Sequence, residues 1–262
     1  MEPPVDERLD LQSAATQLGV HYQTAYRWVR SGRLRAEMVD GRYLVSPAEM
    51  IKLEKSRRTP KTLPVPRATR LDHAAERMFE ALVAGDEAAA TKAANRLARD
   101  GAPIVDLIGQ VLAPPLHRIG RQWHDGELSI WTEHRAAAIV ERILGELAPN
   151  PRGRRRGTAV VTALSGDRHS LPTTMAAVAL RSDNWKVHHL SADLPPEQLI
   201  DFCAAYEVAV AVITVTQPDV QPVADATAVK LRAVGTPTIV GGSGQSVYDL
   251  LDRARSATVR RD

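Results

Sequence analysis

An aspartate and a histidine separated by one residue lie where a strand is expected to end. Residues 165–172 read SGDRHSLP, so Asp167 and His169 closely follow an apolar run at 158–163. A carboxylate that hydrogen-bonds one imidazole nitrogen fixes the tautomer and leaves the other nitrogen free as a metal donor. The pair is therefore a candidate metal-binding group, and a surface turn is the alternative for a D-x-H that stands alone.

A second set of candidate residues lies in a helical stretch nearer the N-terminus. Residues 119–134 read IGRQWHDGELSIWTEH, which places Trp123 and His124 before a turn and Glu133 and His134 after it. A short turn brings the ends of two helices together, so these side chains could line one pocket. The alternative is that the tryptophan belongs to the helical core and that the glutamate and histidine form a surface pair.

The elements that must position Asp167 and His169 alternate between strand and helix. Strands are predicted at 158–163, 186–190, 208–215 and 236–240, and helices at 172–182, 195–206 and 219–233. This order predicts a doubly wound parallel α/β sheet, which binds ligands at the carboxyl ends of its strands. The same edge should carry Thr214, Thr216, Gly241 and Gly242. The remaining chain has room for one short helix and a strand over SATVR, but not for a final helix.

The stretch that contains Trp123 is predicted to be helical throughout. Apolar residues recur at three- and four-residue spacing over 71–84, 86–100, 102–122 and 129–148, which predicts a four-helix bundle. Pro114 and Pro115 fall inside the third helix. They should kink or restart it, because proline lacks the amide hydrogen that a helix interior needs.

The N-terminal segment predicts an all-α winged helix-turn-helix. Two short helices are separated at Gly19-Val20, a hairpin turns at Asp40-Gly41, and Ser46-Pro47 opens a last helix. A helix with short polar and arginine side chains can enter the major groove, and a wing can reach phosphates or the minor groove. The candidate DNA-contacting residues are Gln23, Thr24, Arg27, Arg30, Arg33, Arg42 and Tyr43. The alternative is a protein-interaction module with a basic face.

Composition and charge narrow the class of protein further. Residues 1–70 hold 13 basic and 8 acidic groups in a chain of net charge +3, which suggests a polyanionic partner for this segment. The single cysteine, Cys203, excludes an intramolecular disulfide framework and a zinc–cysteine cluster. We find neither a signal-peptide pattern nor an apolar run of about 18 residues, so we expect a cytoplasmic protein with no membrane partner.

Two stretches rich in proline and arginine predict the domain boundaries. They are SRRTPKTLPVPRATR at 56–70 and PNPRGRRRG at 149–157. The predicted order is a DNA-binding domain at 1–57, a linker at 58–70, a four-helix cap at 71–148, a linker at 149–156 and an α/β domain at 157–262.

The motifs of the α/β segment resemble those of the cobalamin-binding domain of methionine synthase and its relatives. That family has D-x-H-x-x-G, then S-x-L, then G-G, and this chain has Asp167-Arg168-His169, Thr214-Val215-Thr216 and Gly241-Gly242 at similar spacing. The resemblance implies that His169 is the lower axial ligand to cobalt and that the threonines line the slot for the nucleotide tail. It also implies that the two glycines let the tail approach the backbone. Pro172 and Thr216 stand where the family has glycine and leucine.

The helical segment resembles the cap of the CarH-type light-responsive cobalamin repressors. Trp123, nine residues and then Glu133-His134 match the W-x9-E-H signature of that cap, and residues 1–57 resemble excisionase and MerR-type DNA-binding domains. The resemblance implies that Trp123 covers the upper axial group of adenosylcobalamin and that His124 can bind cobalt once light removes that group. Glu133 and His134 would lie over the same face of the corrin.

These features together predict a transcription regulator and not an enzyme. By the resemblance, adenosylcobalamin would favour a homo-oligomer, a dimer or a tetramer, that holds double-stranded operator DNA, and light would disassemble it. One alternative is a regulator of the same build that has lost cobalamin and senses another ligand or none, which Pro172 and the short C-terminus favour. The other is the corrinoid carrier of a methyltransferase, which has no need for a DNA-binding segment.

Overall fold

The structure is a computed structural model that describes residues 8–18, 20–30, 32–39, 41–58, 67–149, 153–242 and 245–259. The chain divides into two compact units, Met1–Pro66 and Arg67–Asp262. The predicted cap and α/β segments both fall in the second unit. The further boundary at 149–156 stays a prediction.

The first unit combines three helices with a small antiparallel sheet. Its elements are β1 (Leu9–Asp10), α1 (Leu11–Gln17), α2 (Tyr22–Arg30), β2 (Glu37–Val39), β3 (Arg42–Val45) and α3 (Pro47–Arg58), with strand order β1-β3-β2. Strand β1 was not predicted, because two residues are too few to show a period. Its Asp10 also caps α1, since the carboxylate accepts a hydrogen bond from the Ser13 amide at 2.8 Å.

The core of the first unit follows the predicted helical periodicity. The apolar residues of α1 and its C-cap are buried together with Ala25 of α2 and Val45 of β3. In the predicted hairpin turn Gly41 has φ +78°, a conformation that favours glycine, whereas Asp40 lies outside the described residues. The helix pair and the hairpin therefore share one small core.

The second unit begins with a helical layer. Its elements are α4 (Arg67–Ala84), α5 (Glu87–Arg99), α6 (Ile104–Asp106), a π-helix over Leu107–Leu112, α7 (Ala113–His124) and α8 (Ile130–Leu147). Helix α6, the π-helix and α7 are contiguous, so the helix predicted over 102–122 is present as one stretch from Ile104 to His124, and the predicted restart at Pro114 is absent. The Ala113 amide bonds to the Ile108 carbonyl in a π-type turn directly before the two prolines, whose missing amide hydrogens interrupt the regular bonding pattern.

A four-stranded parallel sheet with flanking helices completes the second unit. Its elements are β4 (Thr158–Ala163), α9 (Ser170–Ser182), β5 (Lys186–His189), α10 (Pro196–Ala205), β6 (Val210–Val215), a 3₁₀ turn (Pro218–Val220), α11 (Gln221–Ala233), β7 (Thr238–Gly242) and α12 (Val247–Val259). The strand order is β5-β4-β6-β7, and every pairing is parallel. The predicted doubly wound parallel sheet is confirmed.

The C-terminal helix corrects one expectation. The strand predicted over SATVR is wrong, because Ser256 to Val259 continue α12, while Arg260 lies outside the described residues. Leu251 and Ala254 are both buried, and their spacing of three residues matches a helix and not a strand. The chain therefore does close the domain with a final helix.

The helical layer and the sheet share one continuous hydrophobic core. Met78, Leu112 and Ile143 of the helices belong to the same buried cluster as Leu180 of α9 and Val212 of β6. Neither layer can bury its apolar face without the other. The two layers therefore form a single folding unit.

This shared core predicts how fragments should behave. We expect residues 67–262 to unfold in one cooperative urea transition and residues 157–262 alone to show none, because the second fragment exposes the apolar face of α9 and α12. Circular dichroism of both fragments checks this. A cooperative transition for 157–262 would contradict it.

Residues at the end of the predicted second linker are held against the sheet. Arg156 donates from Nε to the Asp183 carbonyl at 2.9 Å, and Asn184 donates from Nδ2 to the Arg154 carbonyl at 2.7 Å. Arg156 and Arg255 of α12 also pair with the Asp183 carboxylate. This cluster attaches the segment leading into β4 to the turn after α9 and to the last helix.

Candidate metal centre and nucleic-acid interface

The loop after β4 builds its site around a fully buried carboxylate. Asp167 Oδ2 accepts hydrogen bonds from the Thr216 amide at 2.5 Å and from the Gln217 amide at 3.4 Å. Its Oδ1 accepts from the Thr216 hydroxyl at 2.7 Å and lies 2.9 Å from His169 Nδ1. The ends of two neighbouring strands, β4 and β6, are thus joined through one side chain.

These hydrogen bonds determine the charge of Asp167. Burial by itself raises the pKa of the carboxyl group, but the bonds from Thr216 and His169 outweigh it and hold the pKa below its ordinary value. The side chain is therefore an anion at neutral pH. An anion at this place favours a proton on the facing imidazole nitrogen.

The geometry of His169 follows from that anion. Its Nδ1 lies 2.9 Å from Asp167 Oδ1 and 2.8 Å from Thr216 Oγ1, so Nδ1 carries the proton in the tautomer that fits this network. Nε2 then keeps its lone pair, and the side chain is 52% exposed. A neutral imidazole with a free, accessible nitrogen and an oriented ring is the form that ligates a metal.

The threonine and glycine positions differ in what they offer to a ligand. Thr214 Oγ1 is buried and has no hydrogen-bond partner among the described residues. Among the described residues, a Cβ on Gly241 would meet only the Gln245 side chain, at 3.4 Å, which leaves this backbone approachable. A Cβ on Gly242 would lie 2.4 Å from the Val215 carbonyl oxygen, so the packing of β7 on β6 already requires glycine there.

Pro172 is compatible with the helix in which it lies. It is the third residue of α9, in the first turn, where amide hydrogens have no partner within the helix. The proline therefore leaves the backbone course after His169 intact. The cobalamin-binding pattern has glycine at this position, so the proline ring is a side chain that the pattern lacks.

The residues of the cap signature are exposed at the end of the helical layer. Trp123 is 42% exposed at the end of α7, so the alternative that it belongs to the core is wrong. His124 is exposed beside it, and Glu133 Oε2 lies 2.7 Å from His134 Nδ1, which is the surface pair considered above. Within the described residues, no hydrogen bond or ion pair joins these four side chains to Asp167, His169 or Thr216.

Helix α8 also contacts the loop that carries His169. Glu141 Oε1 accepts a hydrogen bond at 3.1 Å from the hydroxyl of Ser170, the residue after His169. His134 lies seven residues before Glu141, close to the same face of the helix, whereas Glu133 is turned away from it by about 80°.

Two further tryptophans and two adjacent histidines have structural partners. Trp185 is fully buried, whereas Trp131 is 62% exposed and covers the Arg135 guanidinium at 5.1 Å. His188 packs on Phe202, while His189 Nε2 lies 2.7 Å from Thr173 Oγ1, so the two histidines do not share a site. Burial raises the pKa of the Cys203 thiol to about 11, which keeps it protonated and unreactive.

Clusters of metal-donor side chains are absent from the part of the chain that the structure describes. It contains no group of three or more histidine, cysteine, aspartate or glutamate side chains arranged to hold a metal ion. A free ion therefore has no multidentate site there. The accessible imidazole of His169 in this loop suits a metal whose other ligands come from its own macrocycle, as in a haem or a corrin.

The first unit presents the predicted DNA-contacting residues on one helix and one strand. Gln23, Arg27 and Arg30 are exposed on α2, Thr24 is half-buried, Arg42 is exposed at the start of β3, and Tyr43 is half-buried next to it. Arg33 lies over the Trp28 ring at 5.2 Å, which holds the turn after α2.

Sequence reasoning missed two aromatic residues at this surface. Tyr22 and Tyr26 stack at 6.3 Å on α2, and Tyr26 meets Tyr43 of β3 edge-on at 5.9 Å. The three rings connect the second helix to the hairpin. Their spacing of four residues on α2 was the available signal, because residues i and i+4 share a helix face.

Two family models match the chain in separate places. A helix-turn-helix domain matches residues 8–58, and a B12 binding domain matches residues 74–148, which here form the helical layer. The chain therefore carries a DNA-binding domain and a cobalamin-binding domain, which together support transcription regulation. No curated protein sequence matches the chain. None of the described helices is long and apolar enough to cross a membrane.

Three solved structures resemble this chain over most of its length. The monomethylamine corrinoid protein of Methanosarcina barkeri is 16% identical, with 72% of this chain and 96% of that chain covered at a TM-score of 0.56. The methanol:cobalamin methyltransferase complex MtaBC from Methanosarcina barkeri (17% identity, 82% and 90% covered, TM-score 0.34) also matches. So does a cobalamin-binding protein from Desulfitobacterium hafniense (16% identity, 73% and 97% covered, TM-score 0.36). The first of these similarities shows a shared fold.

Proposed function

We propose that this protein is a transcription regulator of the CarH type, in which the second unit senses adenosylcobalamin and the first unit binds operator DNA. The observation that carries the proposal is the Asp167–His169–Thr216 network, which holds one imidazole in a fixed tautomer with its Nε2 accessible. The B12 binding domain match on the helical layer supports it.

Each candidate residue has a distinct part in this proposal. His169 would be the lower axial ligand to cobalt, and Asp167 and Thr216 would orient it. The unpartnered Thr214 hydroxyl and the open backbone at Gly241 would line the slot for the nucleotide tail. The glycine of Gly242 serves the packing of the sheet instead.

The exposed cap residues would close the opposite side of the corrin. Trp123 would cover the upper axial group, with Glu133 and His134 over the same face, and His124 would be available to bind cobalt once that group is lost. Bound adenosylcobalamin would supply a cobalt–carbon bond that light can break. Loss of the contact with Trp123 would then change how the helical layer meets the sheet, and with it the dimer or tetramer that holds the operator.

A regulator of the same build without cobalamin is the second candidate. Pro172 favours it, because a proline ring occupies the turn where the cobalamin-binding pattern has glycine. The accessible imidazole that Asp167 and Thr216 orient argues against this candidate. A methyltransferase carrier would leave the helix-turn-helix domain without a role.

One spectroscopic experiment separates these candidates. Purified full-length protein is incubated with adenosylcobalamin in the dark, freed of unbound corrinoid, and its absorption spectrum is recorded before and after green light. We expect a bound corrinoid spectrum that changes irreversibly on illumination, together with a change in particle mass. Protein that retains no corrinoid would favour the second candidate, and corrinoid retention without operator binding would favour the carrier.

The DNA-binding prediction concerns the exposed arginines of α2. Arg27→Ala and Arg30→Ala should each weaken operator binding without lowering the melting temperature, because both side chains lie outside the core. Each lost phosphate contact should also reduce the slope of log K against log salt by about 1. Arg96→Ala, on an exposed face of α5, is the charge-matched control. Unchanged affinity and salt slope in both variants would refute the assignment of α2.

A further inference from the structure

One edge of the parallel sheet has no neighbouring strand among the described residues. Strand β7 is last in the order β5-β4-β6-β7, and the chain passes from it directly into α12. Its residues Thr238, Ile239 and Val240 are β-branched, a type that favours strand pairing. Such an edge can add a strand from another molecule unless something prevents it.

The register shows which backbone groups of β7 point outward. The Ala211 amide of β6 donates to the Pro237 carbonyl at 2.9 Å, and Ile213 is the register partner of Val240. In a parallel ladder alternate residues bond to the neighbouring strand, so residues 237, 239 and 241 face β6. The carbonyl groups of Thr238 and Val240 therefore point away from the sheet.

Each of these outward carbonyl groups accepts a hydrogen bond from an arginine side chain. Arg232 of α11 donates from Nη2 to the Thr238 oxygen at 2.9 Å, and Arg253 of α12 donates from Nη1 to the Val240 oxygen at 3.2 Å. The two helices pack on opposite faces of the sheet, so the arginines approach the edge from both sides. Arg253 is held in place by a second bond to Gln245 Oε1 at 3.0 Å.

The space beside β7 has room for an added strand. Two clefts, each of about 660 Å³, are both lined by Arg232 and Arg253. One extends toward Gly241 and Gly242, and the other toward Gly235 and Pro237. The arginines therefore stand in the middle of a groove that follows the strand.

We propose that Arg232 and Arg253, by bonding the outward carbonyl groups, prevent β7 from pairing with β7 of a second copy of this chain. A strand that pairs with itself about a twofold axis is antiparallel and needs the outward carbonyl groups of both copies. The two arginines already bond these groups in each copy, so edge pairing would require them to move away first. The second copy is the relevant partner because a twofold axis makes the same edge complementary to itself.

The test measures self-association of the full-length protein without cobalamin and without DNA, so its outcome does not depend on the proposed function. Light scattering coupled to size exclusion is recorded over a wide range of concentrations for the wild type and for Arg232→Ala/Arg253→Ala. We expect the double variant to reach twice the wild-type mass at high concentration and to return to it on dilution. Arg77→Ala/Arg96→Ala, which removes two exposed positive charges from the helical layer, should behave as the wild type does.

A proline identifies the surface through which the double variant associates. The Val240 amide points away from β6, as the Val240 carbonyl does. Val240→Pro, added to the double variant, therefore removes a donor that edge pairing needs and keeps the hydrogen bonds between β7 and β6. We expect this triple variant to regain the wild-type mass.

An unchanged mass for the double variant, or association that Val240→Pro does not reverse, would overturn the proposal. If thermal melts show that the double variant is unfolded, the single variant Arg253→Ala is tested in the same way, with the same two outcomes.

Discussion

His169→Ala is expected to abolish retention of adenosylcobalamin by the full-length protein. The imidazole is the one accessible donor of the Asp167 network, and alanine provides no ligand to replace it. Asp167→Asn should weaken binding by about 10- to 100-fold, because it removes the charge that orients the ring and leaves the ligand itself in place. Titration followed by absorption spectroscopy measures both effects.

The control for this prediction is another histidine of the same unit. His73→Ala changes an exposed residue of α4 and should leave corrinoid binding unchanged. If His169→Ala binds as tightly as the wild type while the wild type does bind, cobalt is held without this residue and the axial-ligand assignment is wrong. If the wild type binds no corrinoid, the second candidate function replaces the first.

Asp183→Ala is expected to produce the largest loss of folding stability. Its carboxylate is 8% exposed and accepts bonds from Arg255 Nη2 at 2.8 Å and Nε at 3.0 Å, with Arg156 Nε at 3.1 Å. The Trp185 indole donates to it at 3.3 Å. Removing a buried partner leaves several donors unpaired, and because the arginines are about half exposed we expect a loss of about 2–3 kcal/mol. Urea unfolding of the full-length protein measures it.

A matched control separates this cluster from ordinary surface pairing. Asp252 pairs with the same Arg255 at 3.2 Å but is 75% exposed, so Asp252→Ala should cost less than about 0.5 kcal/mol. Equal losses for the two variants would show that burial of Asp183 contributes nothing. The comparison holds the arginine constant and changes only the environment of the carboxylate.

The same carboxylate predicts a pH dependence of stability. Burial raises the pKa of Asp183, but the hydrogen bonds and charges of Arg255 and Arg156 more than offset this and hold the pKa below its ordinary value. Its contribution is therefore complete above the unfolded pKa of about 3.9 and is lost as the pH falls through the lower folded pKa. Asp183→Ala should lose less stability than the wild type over this acidic range.

The amino-acid sequence by itself determined the order and type of the main elements. Strand and helix alternate over 157–242 because apolar runs, glycines and prolines act within a few residues of their own position. The same local signals marked the helix pair of the first unit and the irregular helical turn beside Pro114. They also placed Asp167 and His169 at the carboxyl end of a strand, which is where the structure has them.

Only the tertiary structure decided which of these residues meet. Thr216 orients His169 across 47 residues of sequence, Asp183 and Arg255 pair across 72, and the Tyr248 hydroxyl donates to Asp106 across 142. Helical or strand periodicity in the sequence cannot predict contacts between residues so far apart in the chain, because these contacts depend on how whole helices pack on the sheet. The exposure of Trp123, the packing role of Gly242 and the two arginines beside β7 are of this kind. Each depends on neighbours that only the assembled core brings together.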